Sequence, residues 1–322
     1  MNTCSAFRFL LSVLLTIVTA HSVYGQFLHE GDTIAIVSPS SATDTATING
    51  GMRTLQSWGY RCVVGRHALN QRHGFAGSAS ERADDLLWAL RSPSVKAIMC
   101  SRGGDGAVQL LCRIPLDTLR RYPKLIIGFS DITALLCAAA CAGHVGIHGS
   151  MCHALTTYEG TDTVSQTLRR MLEGQLPAYQ VAPHPLNQQG VASGVLVGGN
   201  MSVLHGLAGS DFDPLTMPDI ILFIEDTGES MTKVDRMLHN IMVRGLMAHV
   251  RGIVVGQFGK YKFPENGFAD MYDMLSDYLR HYPIPVCYDF PVGHRHLRNF
   301  PLLTGARVTL SVTADGAMLT YQ

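Results

Sequence analysis

The chain has 322 residues, of which 47% are hydrophobic and 16% are charged, and its formal net charge is zero. A length of this order is typical of about two domains, and the apolar content is enough for a large core. Nucleic acids and other polyanions are bound by clustered lysine and arginine, so the balanced charge argues against such partners.

Residues 1–25 are predicted to be a secretory signal peptide and not part of the fold. The apolar stretch 10–20 is short for a membrane span and follows a single positive charge, Arg8. Val23 and Gly25 are small residues at positions −3 and −1 of a cleavage site. An uncleaved membrane anchor is the alternative, which the short apolar run disfavours. We therefore expect an exported protein of the periplasm or cell envelope, without a membrane span after cleavage.

Strand-like and helix-like segments alternate over residues 26–172. The strand-like runs are short, apolar and separated by helix-like stretches; in chain order they are TIAIV, RCVV, VKAIMC, LIIG and VGIH. Strands of this kind between helices indicate a parallel sheet that is covered on both faces. Residues 26–172 are therefore predicted to form an N-terminal α/β domain.

The alternating pattern loosens in residues 173–190, which contain three prolines and are predicted to be a linker. A second unit is predicted over residues 191–322. It contains the strands DIILFIED and VRGIVVGQF, two long helices and a terminal hairpin with an Asp-Gly turn.

Ser130 stands in the corner between the strand-like LIIG and a helix-like stretch that begins at once. Gly128 permits a tight turn, and the amides that follow, starting with that of Asp131, point towards the same spot. This is the logic of a nucleophile elbow, although the second glycine of G-x-S-x-G is missing. The simpler alternative is that Ser130 or Asp131 only caps the helix, and the local pattern alone favours the cap.

The glycine-rich turn SRGGDG, residues 101–106, also lies between a strand and a helix. Its amides could complete an oxyanion site or cradle a phosphate, but the lysine and serine or threonine of a phosphate loop are absent. A loop that only requires positive φ is the default interpretation.

Glu225 and His294 are candidate partners for a serine nucleophile. Glu225 directly ends the apolar run 220–224, where a carboxylate is costly unless it is partnered. His294 follows a glycine in a loop that can reach a site between the domains. Serine, histidine and an acid are the groups that acyl transfer requires, but the spacing leaves open whether they meet.

A zinc site is an alternative suggested by cysteines and histidines in residues 137–153. Their spacing fits no standard zinc signature, and cysteines on an apolar helix are typical of a core. We therefore expect no metal, and few or no disulfides among the seven cysteines that follow the leader.

Several segments in chain order resemble the motifs of the serine L,D-carboxypeptidase family, which includes muramoyl-tetrapeptide carboxypeptidases and microcin C immunity-type peptidases. The segments are GDTIAIVSPSS, SRGGDGAVQLL, LIIGFSDITALL, GIHGSM, LVGGNMSVLHGLAGSDFD, LFIEDTGESMTKVDRML, GIVVGQF and PVGHRHLRNFPLLTGARVTL. The resemblance implies a flavodoxin-like, class I amidotransferase-like domain followed by a β-rich α/β domain.

The resemblance also assigns roles to residues. Ser130 is implied as the nucleophile, Glu225 as the orienting acid and His294 as the general base. A backbone oxyanion hole is implied at Asp131, Gly103 and Gly104. The candidates for substrate binding are Arg102, Asp105, His148 and Ser150, of which His148 and Ser150, at the end of VGIHGS, are predicted to line a pocket.

The implied substrate is the tetrapeptide stem of peptidoglycan, which loses its terminal D-alanine without the help of a cofactor. The resemblance further implies a homodimer. In two places the chain departs from the family pattern: Asp105 in the glycine turn, and HGSM in place of His-Gly-Pro. Two other functions stay open, a non-enzymatic periplasmic binder of peptides or sugars and an immunity hydrolase for microcin-type peptides.

Overall fold

The computed structural model describes residues 27–262 and 267–322. The predicted signal peptide lies outside these ranges.

The N-terminal part of the chain forms a six-stranded sheet. Its strands in spatial order are β11 (Leu302–Thr304), β5 (Gly146–His148), β4 (Leu125–Gly128), β3 (Val95–Cys100), β1 (Thr33–Val37) and β2 (Arg61–Val64). All neighbours are parallel except β11 and β5. The central strands β3 and β4 are almost wholly buried, which explains their uninterrupted apolar sequences.

The second sheet has seven strands. In spatial order they are β10 (Val286–Cys287), β9 (Val250–Gly259), β8 (Ile220–Thr227), β7 (Gly190–Asn200), β12 (Arg307–Thr313), β13 (Gly316–Tyr321) and β6 (Tyr179–Val181). The half from β10 to β7 is parallel, and the half from β7 to β6 is antiparallel. Together the two sheets confirm the predicted α/β class with a parallel N-terminal sheet and a β-rich second unit.

The helices follow the strands as the sequence predicts. They are α1 (Thr45–Ser57), α2 (Ala79–Arg91), α3 (Ala107–Leu111), α4 (Leu116–Arg121), α5 (Thr133–Cys141), α6 (Cys152–Thr157), α7 (Thr163–Leu172), α8 (Met201–His205), α9 (Met231–Val243) and α10 (Met271–Leu279). Each helix in the described ranges is too short or too polar to cross a membrane.

The structure differs from the predicted division of the chain at two places. Strand β6 lies inside the predicted linker 173–190 and pairs with β13 at the edge of the second sheet. Strand β11 belongs by sequence to the second unit but pairs with β5 of the first sheet. Each of these strands has only three residues, which are too few to show the alternation of apolar and polar residues that identifies a strand.

One continuous core joins the two units. It includes Ile98 of the first sheet, Leu135 of α5, and Val197 and Ile224 of the second sheet. Because α5 packs against β7 as well as its own sheet, it is buried almost all round. The ends of β4 and β8 are therefore held in a fixed relation, and the candidate site lies where they meet.

Candidate active site

Ser130 occupies a strained turn at the end of β4. Its φ is +62°, a left-handed conformation that is uncommon for serine and characteristic of functional sites. The missing second glycine of the elbow has a physical explanation. Ile132 stands at the position of the second glycine in G-x-S-x-G, and its side chain packs against Gly128. A Cβ on Gly128 would lie only 2.9 Å from Ile132 Cγ1, so the first glycine makes room for this side chain. One glycine therefore suffices for this turn.

The three residues predicted to carry acyl transfer meet in one hydrogen-bonded chain. Ser130 Oγ lies 3.0 Å from His294 Nε2, and His294 Nδ1 lies 2.7 Å from Glu225 Oε2. The two distances join residues that are 164 and 69 positions apart in the sequence. This is the arrangement in which an imidazole can take the serine proton while an acid holds its tautomer.

Two contacts fix the position of His294, one made by the backbone of its loop and one made by its ring. The main-chain N–H of Gly293 donates to Asn299 Oδ1 at 3.2 Å, and the imidazole ring meets the Phe129 ring edge-on at 5.2 Å. Burial alone disfavours the imidazolium, but the hydrogen bond and charge of Glu225 outweigh burial and raise the pKa of His294 above its ordinary value near 6.5. The imidazole is thus held in place and made more basic.

Glu225 is fully buried at an irregularity in the second sheet. Ile224 pairs with Val255 and Asp226 pairs with Phe258, so two residues of β9 face Glu225. The bulge therefore lies in β9 and interrupts the ladder opposite Glu225, whose Oε2 lies 2.7 Å from His294 Nδ1. Burial raises the pKa of the neighbouring Asp226, although this carboxylate accepts hydrogen bonds from Ser202, Thr227 and Asn200.

The glycine turn lies against the serine, as the oxyanion prediction requires. A Cβ on Gly103 would lie 3.1 Å from Ser130 Cβ and 3.4 Å from Ser130 Oγ, so the backbone passes close to the Ser130 hydroxyl. Gly104 follows at the exposed tip of the same turn. Asp131 is the second residue of the short helical turn Ser130–Ile132, and its side chain accepts hydrogen bonds from Ser40 and Ala107 in a buried network. Two strand-end turns, residues 101–106 and the turn at Ser130, therefore lie next to each other.

The four candidate substrate-binding side chains occupy different positions. Arg102 and Asp105 are exposed in the glycine turn; Arg102 Nη1 reaches the carbonyl of Ala42 at 3.4 Å, and the Asp105 amide donates to Ser41. Ser150 lines a cleft next to His294. His148 was expected at a pocket, but the structure buries it completely behind the rings of Phe129 and Phe223. Burial lowers the pKa of His148 to about 4, which keeps it neutral.

The cleft beside His294 has a volume of about 200 Å³. Its walls carry aromatic, hydroxyl, amide and imidazole groups, but no acidic side chain; they are Phe129, Ser150, His153, Ala154, Thr157, Tyr158, Gly293, His294 and Asn299. The same walls carry no lysine or arginine, so the cleft suits a small polar group better than an unpaired charge of either sign.

The cysteines and histidines of the zinc alternative point to separate surroundings. Cys137 Sγ faces the carbonyl of Gly198, Cys152 packs against α1 at Gly51, and His144 Nε2 lies 3.2 Å from the carbonyl of Arg120. Within residues 27–262 and 267–322, no group of three or more histidine, cysteine or acidic side chains could hold a metal. All seven cysteines there are free.

The sequence patterns did not predict the contact that joins α5 to the second sheet. The main-chain N–H of Asn200 donates to Thr133 Oγ1 at 3.0 Å, and Asn200 Nδ2 donates to Asp226 Oδ1 at 3.1 Å. Asn200 is also paired in register with Glu225 across β7 and β8. The Gly-Gly-Asn at the end of β7 was a signal that the chain makes a close approach there.

Comparison with known proteins identifies the family. Models of the LD-carboxypeptidase N-terminal domain and C-terminal domain match residues 34–149 and 193–310, respectively. A putative carboxypeptidase of Synechocystis is 35% identical over 272 residues, which cover 83% of this chain and 87% of that protein. A probable murein peptide carboxypeptidase of Bacillus subtilis is 32% identical over 276 residues, covering 83% and 85% of the two chains.

A solved structure shows the same fold. The muramoyltetrapeptide carboxypeptidase from Oxalobacter formigenes superposes with a TM-score of 0.80 at 27% sequence identity, over 90% of this chain and 98% of that chain. Together with the sequence matches, this establishes the two-domain architecture and the class of enzyme. The chain belongs to the LD-carboxypeptidase family, and it is a serine-type carboxypeptidase.

Proposed function

We propose that this carboxypeptidase cleaves the L,D-amide bond that holds the terminal D-alanine on murein tetrapeptide stems. The observation that carries the proposal is the hydrogen-bonded chain from Ser130 through His294 to Glu225. Relatives named as murein peptide and muramoyltetrapeptide carboxypeptidases support the choice of substrate. The cleft beside His294, with a volume of about 200 Å³ and hydroxyl, amide and imidazole groups in its walls, suits the small terminal residue of such a stem.

In the first half of the proposed reaction, Ser130 Oγ attacks the scissile carbonyl carbon while its proton passes to His294 Nε2. The developing oxyanion accepts hydrogen bonds from the amide of Asp131 and from an amide of the Gly103–Gly104 turn. Collapse breaks the C–N bond, and His294 gives its proton to the leaving amine of D-alanine. The product is an acyl-enzyme ester on Ser130.

In the second half, water takes the place of the leaving amine. His294 accepts a proton from that water, and the hydroxide attacks the ester carbonyl. The C–O bond to Ser130 breaks, and His294 returns the proton to Ser130 Oγ. The shortened stem leaves as a carboxylate, and the enzyme is regenerated. Glu225 holds the imidazole and stabilises its charged form in both halves.

The proposal predicts selectivity for the stereochemistry of the scissile bond. We expect release of alanine from a tetrapeptide stem that ends in D-alanine, and at least about 10²-fold slower release from the matched stem that ends in L-alanine. Inverting this centre exchanges the methyl and carboxylate positions, so a polar group is left unpaired. Mass measurement of the products, with a pentapeptide stem as a second control, provides the test.

Different results would favour the alternative functions. Cleavage of a microcin-type peptide but of no murein stem would support an immunity hydrolase and contradict the proposal. Binding of stems without any release would support the non-enzymatic binder. Equal release from the D- and L-alanine stems would contradict the L,D specificity.

We further propose that the enzyme acts outside the cytoplasm, on the wall or on released fragments. This proposal depends on the predicted leader, residues 1–25. Detection of the protein in the periplasmic fraction, with its N-terminus at Gln26, would support it. The homodimer implied by the family resemblance stays a prediction.

A further inference from the structure

Arg82 is a buried cation directly behind the candidate oxyanion site. It lies on α2 and is only 2% exposed. Its Nη1 donates to the carbonyls of Pro39 at 2.6 Å and Gly106 at 2.9 Å, and its Nη2 donates to Gln109. A buried guanidinium costs several kcal/mol unless it is well partnered. A residue that only filled space would not need this charge.

Asp131 is a buried anion on the other side of the same backbone. It is 5% exposed, and its Oδ2 accepts hydrogen bonds from Ser40 Oγ at 2.5 Å and from the main-chain N–H of Ala107 at 2.8 Å. Burial raises the pKa of this carboxyl, and the hydrogen bonds from Ser40 and Ala107 act in the opposite direction. The Asp131 carboxylate therefore holds the two loops that contain Ser40 and Ala107. This role is separate from the role proposed for its backbone amide in the oxyanion hole.

The two charges hold opposite ends of one peptide group. Arg82 binds the carbonyl of Gly106, and Asp131 binds the N–H of Ala107. These two atoms belong to the same planar unit, so fixing both of them fixes the orientation of the plane. Gly106 has φ +112°, and a Cβ there would lie 2.7 Å from Arg82 Nη1, so the position requires glycine.

The clamped peptide closes the turn that lies against the nucleophile. The turn begins at Ser101, and its Gly103 contacts Ser130. The same two charges also hold the loop after β1, where Arg82 binds Pro39 and Asp131 binds Ser40. Because Asp131 itself follows Ser130, the clamp ties the nucleophile turn directly to the glycine turn.

We propose that Arg82 and Asp131 are a pair of positioning residues that set the geometry of the oxyanion hole. Neither side chain touches the substrate; together they fix the distance between the two turns that supply the amide donors. The inference rests on the proposed function, because an oxyanion hole matters only to a reaction of the acyl-transfer type. A displacement of about 1 Å at such a site can cost about 10²-fold in rate.

The test compares Arg82→Met with a matched control, Arg244→Met. Arg244 also pairs with a buried acid, Asp213, at 2.5 Å, but it is the residue that caps the end of α9, and both residues belong to the second unit. Two rates are measured at a temperature where circular dichroism shows folded protein: turnover of the tetrapeptide stem, and phosphonylation of Ser130 by a fluorophosphonate probe. The probe forms an O–P bond at the serine with loss of fluoride, so it reports the site independently of the natural substrate.

We expect Arg82→Met to lower kcat and the labelling rate by about 10- to 10²-fold while KM changes little, because the amide donors act on the transition state. Arg82→Lys is expected to recover part of the loss. Arg244→Met is expected to lower Tm but to leave both rates unchanged. Wild-type rates in folded Arg82→Met would overturn the inference and leave Arg82 a purely structural residue.

Failure of the proposed function would be distinguishable from failure of the clamp. If the wild-type enzyme cleaves no murein stem, the substrate assignment fails, but slower labelling of Arg82→Met still supports the clamp and equal labelling still overturns it. If Arg82→Met does not fold, Asp131→Asn tests the clamp in the same labelling assay. Asparagine keeps the size of the side chain and one hydrogen-bond acceptor but removes the negative charge. Slower labelling then supports the inference, and an unchanged rate overturns it.

Discussion

We expect Ser130→Ala to lower kcat/KM on the tetrapeptide stem by about 10⁴- to 10⁶-fold, with little change in substrate affinity. The reason is that Ser130 Oγ is the only atom of the proposed chain that forms a bond to the substrate, whereas the amides and the cleft that bind the stem stay in place. Steady-state kinetics combined with a direct binding measurement by calorimetry would separate the two effects. The residual activity would report on the oxyanion hole alone.

A serine remote from the cleft provides the control for this substitution. Ser193 lies on β7 and its hydroxyl is paired with Thr309 at 2.8 Å. It stands seven residues, or about 23 Å, from the end of the strand that approaches the site. Ser193→Ala is expected to retain wild-type activity. Release of alanine by Ser130→Ala at the wild-type rate would remove Ser130 as the nucleophile.

We expect Glu225→Gln to lower kcat/KM by about 10⁴-fold, the second largest effect. Glutamine keeps the size of the side chain but can present its NH₂ group to His294 Nδ1. This favours the tautomer that carries its proton on Nε2, which cannot accept a proton from Ser130. Glu229→Gln is the matched control, because this carboxylate follows the same strand but pairs with Lys233 at the surface.

The same variant is expected to change the pH dependence. His294 must be neutral to act as a base, and its pKa is raised, so wild-type kcat/KM falls as the pH drops through a midpoint above 6.5. In Glu225→Gln the carboxylate that raises this pKa is gone, while burial, which lowers it, remains. The acidic limb therefore moves to lower pH. A profile from about pH 5 to about pH 9 is the measurement; a wild-type midpoint below 6.5, or an unmoved limb in the variant, would contradict the account.

The strands that carry the site could be predicted because their local patterns are strong. The buried run of β4 followed at once by a helix marked the turn at Ser130, and the apolar run of β8 made the terminal Glu225 conspicuous. Residue types suggested His294 as a partner, and the family resemblance supplied its role. What local patterns could not supply was the meeting of three residues from different parts of the chain, which depends on the packing of α5 against both sheets.

The features that were missed depend on long-range contacts or on very short elements. The exchange of β11 into the first sheet involves three residues, and the link from Asn200 to Thr133 spans 67 positions. His148 looked like a pocket residue because it follows a strand end, yet the rings of Phe129 and Phe223 cover it. No local pattern singled out Arg82 of α2, and only the fold shows that it is buried.

The measurement that tests the central claim most directly is the site of covalent labelling by a fluorophosphonate probe. We expect one phosphonyl group per chain, located on Ser130 by peptide mass mapping. Labelling is expected to be absent in Ser130→Ala and slowed in His294→Ala, which lacks the imidazole 3.0 Å from the hydroxyl. A label on a different residue, or wild-type labelling of Ser130→Ala, would contradict the assignment of Ser130, His294 and Glu225 as the catalytic unit.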